Sequence, residues 1–244
     1  MRGRSLTALL CLALLVLSAC GGQSAGGSSL ESASAADPVP ADSVPAESAA
    51  SVSAVEEPEV PEIPQYHSET DQDGDGVDDQ VDILESARAY MATCPSYKSI
   101  YYETGYPDDH HGVCTDVVAN GMRGAGYDLM ELVQADIETS PGDYDIDVPD
   151  PKIDFRRVVN LKVYFDHTAQ SLTTSLDTPE EWQGGDIVVF ERPNHIGVVS
   201  DKRDPEGLPY VFHHVGKRQK KPEDYEEDML PKWRKKIVGH YRVS

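Results

Sequence analysis

The sequence predicts an α+β domain in which helices come first and an antiparallel sheet comes after them. Apolar residues recur at helical spacing from Val113 through Val117, Val118 and Met122. Farther along, four short apolar runs at 186–191, 195–200, 210–215 and 237–242 are punctuated by Gly184-Gly185, Asn194 after Pro193, and Gly207. That is the pattern of strands joined by turns. The first 65 residues carry neither pattern, so the fold is assigned to the residues beyond them.

The chain opens with Arg2 and Arg4, an apolar stretch over 6–17, and then Leu17-Ser18-Ala19-Cys20-Gly21. A charged start, a short apolar run and small residues before a cysteine make an export signal over 1–19. The ending resembles the bacterial lipobox, which implies that Cys20 is lipidated and that the chain is anchored to a membrane outside the cytoplasm. Residues 20–65 are Ser, Ala, Gly, Pro, Glu and Asp with almost no large apolar side chain, the composition of a disordered tether. No Lys or Arg occurs between Arg4 and Arg88, and the formal net charge is −22. Such an acidic chain excludes nucleic acid as an expected partner.

Residues 66–82 hold a candidate calcium loop. Asp71, Asp73, Asp75, Asp79 and Asp82 occupy positions 1, 3, 5, 9 and 12, with Gly76 at position 6 and Val77 at position 7 to offer its carbonyl. Alternating carboxylates on a tight glycine turn converge on one hard cation, so a structural Ca²⁺ is expected. Asp82 replaces the usual bidentate Glu, which makes the loop resemble thrombospondin-type or dockerin-type repeats and should weaken binding. A helix over 83–92 comes next, apolar at Ile83, Leu84, Ala87 and Met91, and the remaining 83–244 is long enough for one domain with its own core.

Cys114 begins the next helix, for which Gly121, Gly124 and Gly126 are candidate stops. Unpaired N–H groups and the positive end of the helix dipole favour a thiolate there, so its pKa is expected to fall. The alternative is an inert buried cysteine. A disulfide with Cys94, the other cysteine after residue 65, is also open, although a free thiol is the expectation. Asp128, with Glu131 three residues later, starts a third helix that places Leu129, Leu132 and Val133 in the core. Arg156 and Arg157 offer guanidinium forks to substrate carboxylates, or else pair with nearby aspartates. The Lys/Arg runs at 217–221 and 232–236 flank the acids of 223–228 and read as a solvated face.

His195 opens its strand, and His213 and His214 lie at the end of the next. Alternation places the last two on opposite faces, so only one can meet His195. A helix-start thiol, a strand imidazole and a third polar group make up the set needed for nucleophilic attack on an amide. The reading from residues alone is a cysteine hydrolase. Two alternatives stand beside it: a non-catalytic wall-binding module on the same fold, or a zinc-dependent hydrolase that uses Asp116, His195, His213 and His214.

The segments Gly105-Tyr106-Pro107, Gly112-Val113-Cys114-Thr115-Asp116, Ile153-Asp154-Phe155-Arg156-Arg157, Gly185-Asp186-Ile187-Val188, His195-Ile196-Gly197-Val198 and Gly239-His240-Tyr241-Arg242 resemble the bacterial envelope family called domain of unknown function 1287. That family is similar to NlpC-type cysteine peptidases, papain-like folds that cleave peptide bonds of cell-wall peptidoglycan. The resemblance implies Cys114 as nucleophile, His195 as base and His213 as the residue that orients it. It implies peptidoglycan or another envelope amide as substrate and no organic cofactor. Val113 and Asp116 depart from the NlpC pattern, which usually has a polar residue before the nucleophile and a small one at the second position after it.

Overall fold

The computed structural model describes residues 60–192, 194–216 and 218–243. The signal over 1–19, Cys20 and the tether up to residue 59 lie outside the described residues. In chain order the elements are α1 (Asp79–Ala92), β1 (Ser96–Tyr97), β2 (His111–Gly112), α2 (Cys114–Gly124), α3 (Leu129–Thr139), α4 (Pro151–Asp154), α5 (Val158–Thr168), β3 (Gln170–Ser171), β4 (Ile187–Phe190), β5 (His195–Arg203), β6 (Pro209–Phe212), β7 (Glu226–Glu227), α6 (Leu230–Trp233) and β8 (Ile237–Arg242). The architecture is α+β, with helices leading into an antiparallel sheet of order β3-β8-β4-β5-β6-β7. β1 and β2 form a separate short parallel pair.

Helix α1 starts four residues before the expected 83, because Asp78 caps it by accepting from Val81 N–H. Its Ile83, Leu84, Ala87 and Met91 are buried. Helix α2 runs straight through Gly121, which is a packing position rather than a stop. A Cβ there would lie 3.0 Å from the Ile83 carbonyl oxygen, and one at Gly124 would overlap Ser86. Hydrogen atoms at these two sites let α1 and α2 approach closely, and larger side chains would push the catalytic candidate away from the sheet. Asp128 caps α3 through Met130 N–H. Leu129 and Val133 are buried as expected, whereas Leu132 is only partly so.

Both faces of the sheet are covered, which is why its strands read as continuous apolar runs rather than alternating ones. Ile187, Val189, Ile196, Val198 and Phe212 pack against the helices, with Met122, Leu129, Phe155 and Phe165. Val188, Phe190, Val199 and Val211 pack on the other side with Trp182, Met229 and Leu230. Each such side chain contributes about 1.5–3 kcal/mol by leaving water.

β6 stops at Phe212, three residues before the expected end. Beyond it Tyr225 O accepts from His213 N–H, Gln219 Nε2 donates to His213 O, and Gln219 Oε1 accepts from Val215 N–H. A side chain has replaced the strand ladder, so His213 and His214 sit on an irregular but fully buried segment. At the other end of the domain Gln65, the last residue of the expected tether, is docked and donates to Gly184 O at 2.9 Å, and Arg242 lies over the ring of Tyr66, the first residue of the expected calcium-loop segment. No helix among the described residues is long and apolar enough to cross a membrane.

Candidate functional site

The start of α2 is held by a buried ion pair. Asp116 accepts from Val113 N–H at 2.8 Å and takes a bidentate fork from Arg156, at 2.9 Å from Nε and 2.7 Å from Nη2. The third guanidinium nitrogen donates to Ile100 O. Arg156 is therefore committed inside the domain, which corrects its assignment to substrate carboxylates. The pairing with a local aspartate is the arrangement present, and Asp116, the departure from the NlpC pattern, is the reason. Arg157 caps α5 by its backbone and stays exposed.

Cys114 is the first residue of α2 and a free thiol, as is Cys94. Burial pushes its pKa up to about 11, with Asp116 adding to the rise; the N–H groups of Ile196, Thr115 and Cys114 itself oppose it. The expected fall is thus reversed. The helix start acts on the sulfur as foreseen, but desolvation of the charged form outweighs it.

His195 heads β5 with its ring backed by Phe190 and Trp233. Its Nε2 lies 2.9 Å from His213 Nδ1. Burial first, then the neighbouring His213 and His214, lower its pKa to about 3. Among the described residues His195 Nδ1 has no hydrogen-bond partner. The Ile196 N–H that acts on the Cys114 sulfur belongs to the residue after His195, which brings the start of α2 to the head of β5. Both shifts run toward the unionised form, a thiol for Cys114 and a neutral imidazole for His195.

Of the adjacent histidines, His213 meets His195. His214 turns the other way and packs edge-on against Tyr97 and Tyr225, with neither ring nitrogen bonded. Burial and His213 lower its pKa to about 4. The zinc constellation does not assemble. Asp116 is engaged by Arg156, and the only convergent set of metal-ligand atoms among the described residues is Asp71, Asp73 and Asp75, within 4.8 Å of one another.

At that loop burial, and then Asp75, Asp73, Asp79 and Asp71, raise the pKa of Asp82 to about 6. Asp79 does not join the triad: it accepts from Gln72 N–H and Tyr127 O–H and anchors α1. The position-9 ligand is a structural residue here, since the helix starts on it. Asp71, Asp73 and Asp75 are the residues whose carboxylates converge as a cation site would need; Asp82 and the Val77 carbonyl are not part of that convergent set.

Three features lie outside the candidate residues drawn from the sequence. Tyr90 has a buried hydroxyl without a partner, against Gly112 where a Cβ would lie 2.2 Å away. Glu227 lies beside His213. A cleft of ≈ 320 Å³ opens between α5 and the sheet, lined by Val158, Val159 and Lys162 on one side and Val189, Phe190, Glu191, Asn194 and Val238 on the other; neither Cys114 nor His195 lines it. Tyr90 continues the α1 face of Ile83 and Ala87 and was visible as spacing. The cleft and the Glu227 contact are assembled from separate elements, which no local pattern joins.

The fold and site define an α+β domain that places a helix-start cysteine at the head of a strand carrying one member of a buried histidine pair. Residues 84–243 match the family described as Domain of unknown function (DUF1287), and the chain belongs to that family. It is also 38% identical, over 171 residues, to "Uncharacterized protein YijF" of Escherichia coli (strain K12), a match covering 66% of this chain and 80% of that relative.

Proposed function

We propose that the domain is a papain-like cysteine hydrolase that cleaves amide bonds of envelope peptides, with peptidoglycan stem peptides as the substrate class. The observation that carries this reading is the His195–His213 bond beside the Cys114 helix start. Cys114 attacks the amide carbonyl carbon while His195 Nδ1 takes the thiol proton. The Cys114 backbone N–H, at the start of α2, is the candidate donor to the developing oxyanion. Carbon–nitrogen cleavage then expels the amine, which leaves with the proton returned by His195, and water hydrolyses the thioester. Because thiol and imidazole begin unionised, proton transfer accompanies attack instead of preceding it.

The test is incubation of the full chain with muropeptides and mass analysis of the products, wild type beside Cys114→Ala. Release of peptide by wild type alone supports the proposal. The high thiol pKa favours a second reading, a wall-binding module that has kept the fold. Binding to purified sacculi without peptide release would select it.

Two accompanying proposals concern placement. Asp71, Asp73 and Asp75 bind one structural Ca²⁺ that fixes the start of α1. Lipidation of Cys20 tethers the domain to the membrane outside the cytoplasm, and mass analysis of membrane-extracted protein tests it: an unmodified Cys20 would reject the anchor.

A further inference from the structure

His213 uses Nδ1 on His195, and its other nitrogen is the more revealing one. Nε2 is buried and makes no hydrogen bond, yet it stands 3.6 Å from Glu227 Oε1. Glu227 lies on β7, which pairs with β6 in the register Val211↔Glu227 and Phe212↔Glu226. The two glutamates point to opposite sides: Glu226 takes the Ser200 hydroxyl and faces Arg88, leaving Glu227 to face His213. The charged groups around Glu227 besides His213 are Arg218 and Lys232.

From this geometry we infer that Glu227 is a positioning residue that fixes the proton arrangement of both histidines and so makes His195 a base at Nδ1. The inference rests on the hydrolase reading for its consequence but not for its geometry. An anionic carboxylate beside Nε2 favours the His213 tautomer that carries its proton there. In that tautomer Nδ1 is bare and can only accept. His195 must donate through Nε2–H, and its own Nδ1 keeps a lone pair for the thiol proton. With Glu227 removed, His213 is free to protonate at Nδ1 and donate to His195 Nε2. His195 would then carry its proton on Nδ1 and could not serve as base. The Glu227 carboxyl is held below its ordinary range, His213 being the largest cause, so it is ionised at neutral pH. Outer partners of this kind orient a working imidazole even where they never touch substrate.

The experiment is ¹⁵N-imidazole NMR on the full chain at pH 7, comparing wild type, Glu227→Gln and, as a control facing the other way, Glu226→Gln. Alkylation of Cys114 by iodoacetamide is timed on the same samples, and their melting temperatures check folding. Wild type and Glu226→Gln should show Nε2–H on both rings, and Glu227→Gln should populate Nδ1–H on both and slow alkylation by about tenfold. Identical tautomers and alkylation rates in Glu227→Gln would overturn the inference. If that variant switches tautomer while wild type leaves muropeptides intact, the positioning role stands and the hydrolase reading alone fails. If wild type hydrolyses and Glu227→Gln keeps the wild-type tautomers, only the positioning role fails.

Discussion

Two buried histidine assemblies lie in the same sheet and are built on opposite principles. His240 on β8 has Nδ1 2.7 Å from Thr173 O and Nε2 2.9 Å from Asp186 Oδ2, and its ring stacks on Trp182 at 3.8 Å. Asp186 also takes a two-point contact from Arg242 and a bond from Gln80. Every polar atom of that imidazole is satisfied. Around His195, His213 and His214 the nitrogens are left over: His213 Nε2 and both nitrogens of His214 are buried without hydrogen bonds. Burying a polar atom unpaired costs about 1–3 kcal/mol. The hydrolase proposal places its chemistry in the cluster that is left short, and stability in the one that is satisfied. The Gly185-Asp186 and Gly239-His240-Tyr241-Arg242 segments are accordingly structural, and the Cys114 and His195 segments carry the proposed chemistry.

The comparison is most sharply tested by rates. Cys114→Ala and His195→Ala should each lower muropeptide hydrolysis by about 10⁴-fold or more, with little change in urea midpoint. Comparable activity in either variant would remove the distinction. His213→Ala should lose less, since a misoriented base still functions in part, and the order of the three rates is the informative quantity.

Asp186→Ala should do the reverse. It strands Arg242 and His240 in the interior, so a loss of about 3–5 kcal/mol in unfolding free energy is expected, with turnover per folded molecule unchanged. Calorimetry alongside activity checks both halves. Lost turnover at unchanged stability would mean that the satisfied cluster is also functional.

A pH titration separates the clusters next. His214 is held neutral in the native state, with a pKa near 4 against 6.5. Its folded-state value is depressed, so below pH 6.5 the unfolded chain takes up a proton that the native chain refuses. Stability is lost as pH falls from 6.5 toward 4, by roughly 1–2 kcal/mol between pH 7 and pH 5 from this group. His214→Phe removes the titrating group and two unpaired nitrogens while filling the same space. Its urea midpoint should exceed that of wild type, with the gap widening at pH 5. An unchanged gap would show that His214 is protonated in the native state.

The smallest effect concerns calcium. With an affinity typical of extracellular modules, about 10⁻⁴ M, 1 mM Ca²⁺ adds roughly 1.4 kcal/mol of stability. Melting that is indifferent to calcium and to chelator would reject the site. Asp79→Asn should lower stability with or without the ion, since Asp79 holds Gln72 and Tyr127 instead of facing the triad.

Local patterns were enough for the α+β class, the position of Cys114 at a helix start and the helical faces of α1 and α3, because periodicity and capping involve near neighbours in the chain. The strand runs were legible for the same reason, although β6 ends early where the Gln219 side chain takes over its backbone groups. The fate of the charged groups was settled only in the folded chain. Arg156 was equally suited to a substrate or to an aspartate, and Asp116, forty residues away, is the partner it found. The thiol pKa was decided the same way. A helix dipole can be read from a sequence, but the desolvation that outweighs it depends on what is packed around the sulfur, as does the placement of Glu227 against His213. Burial and long-range pairing arise when distant segments meet, and no spacing along the sequence encodes them directly.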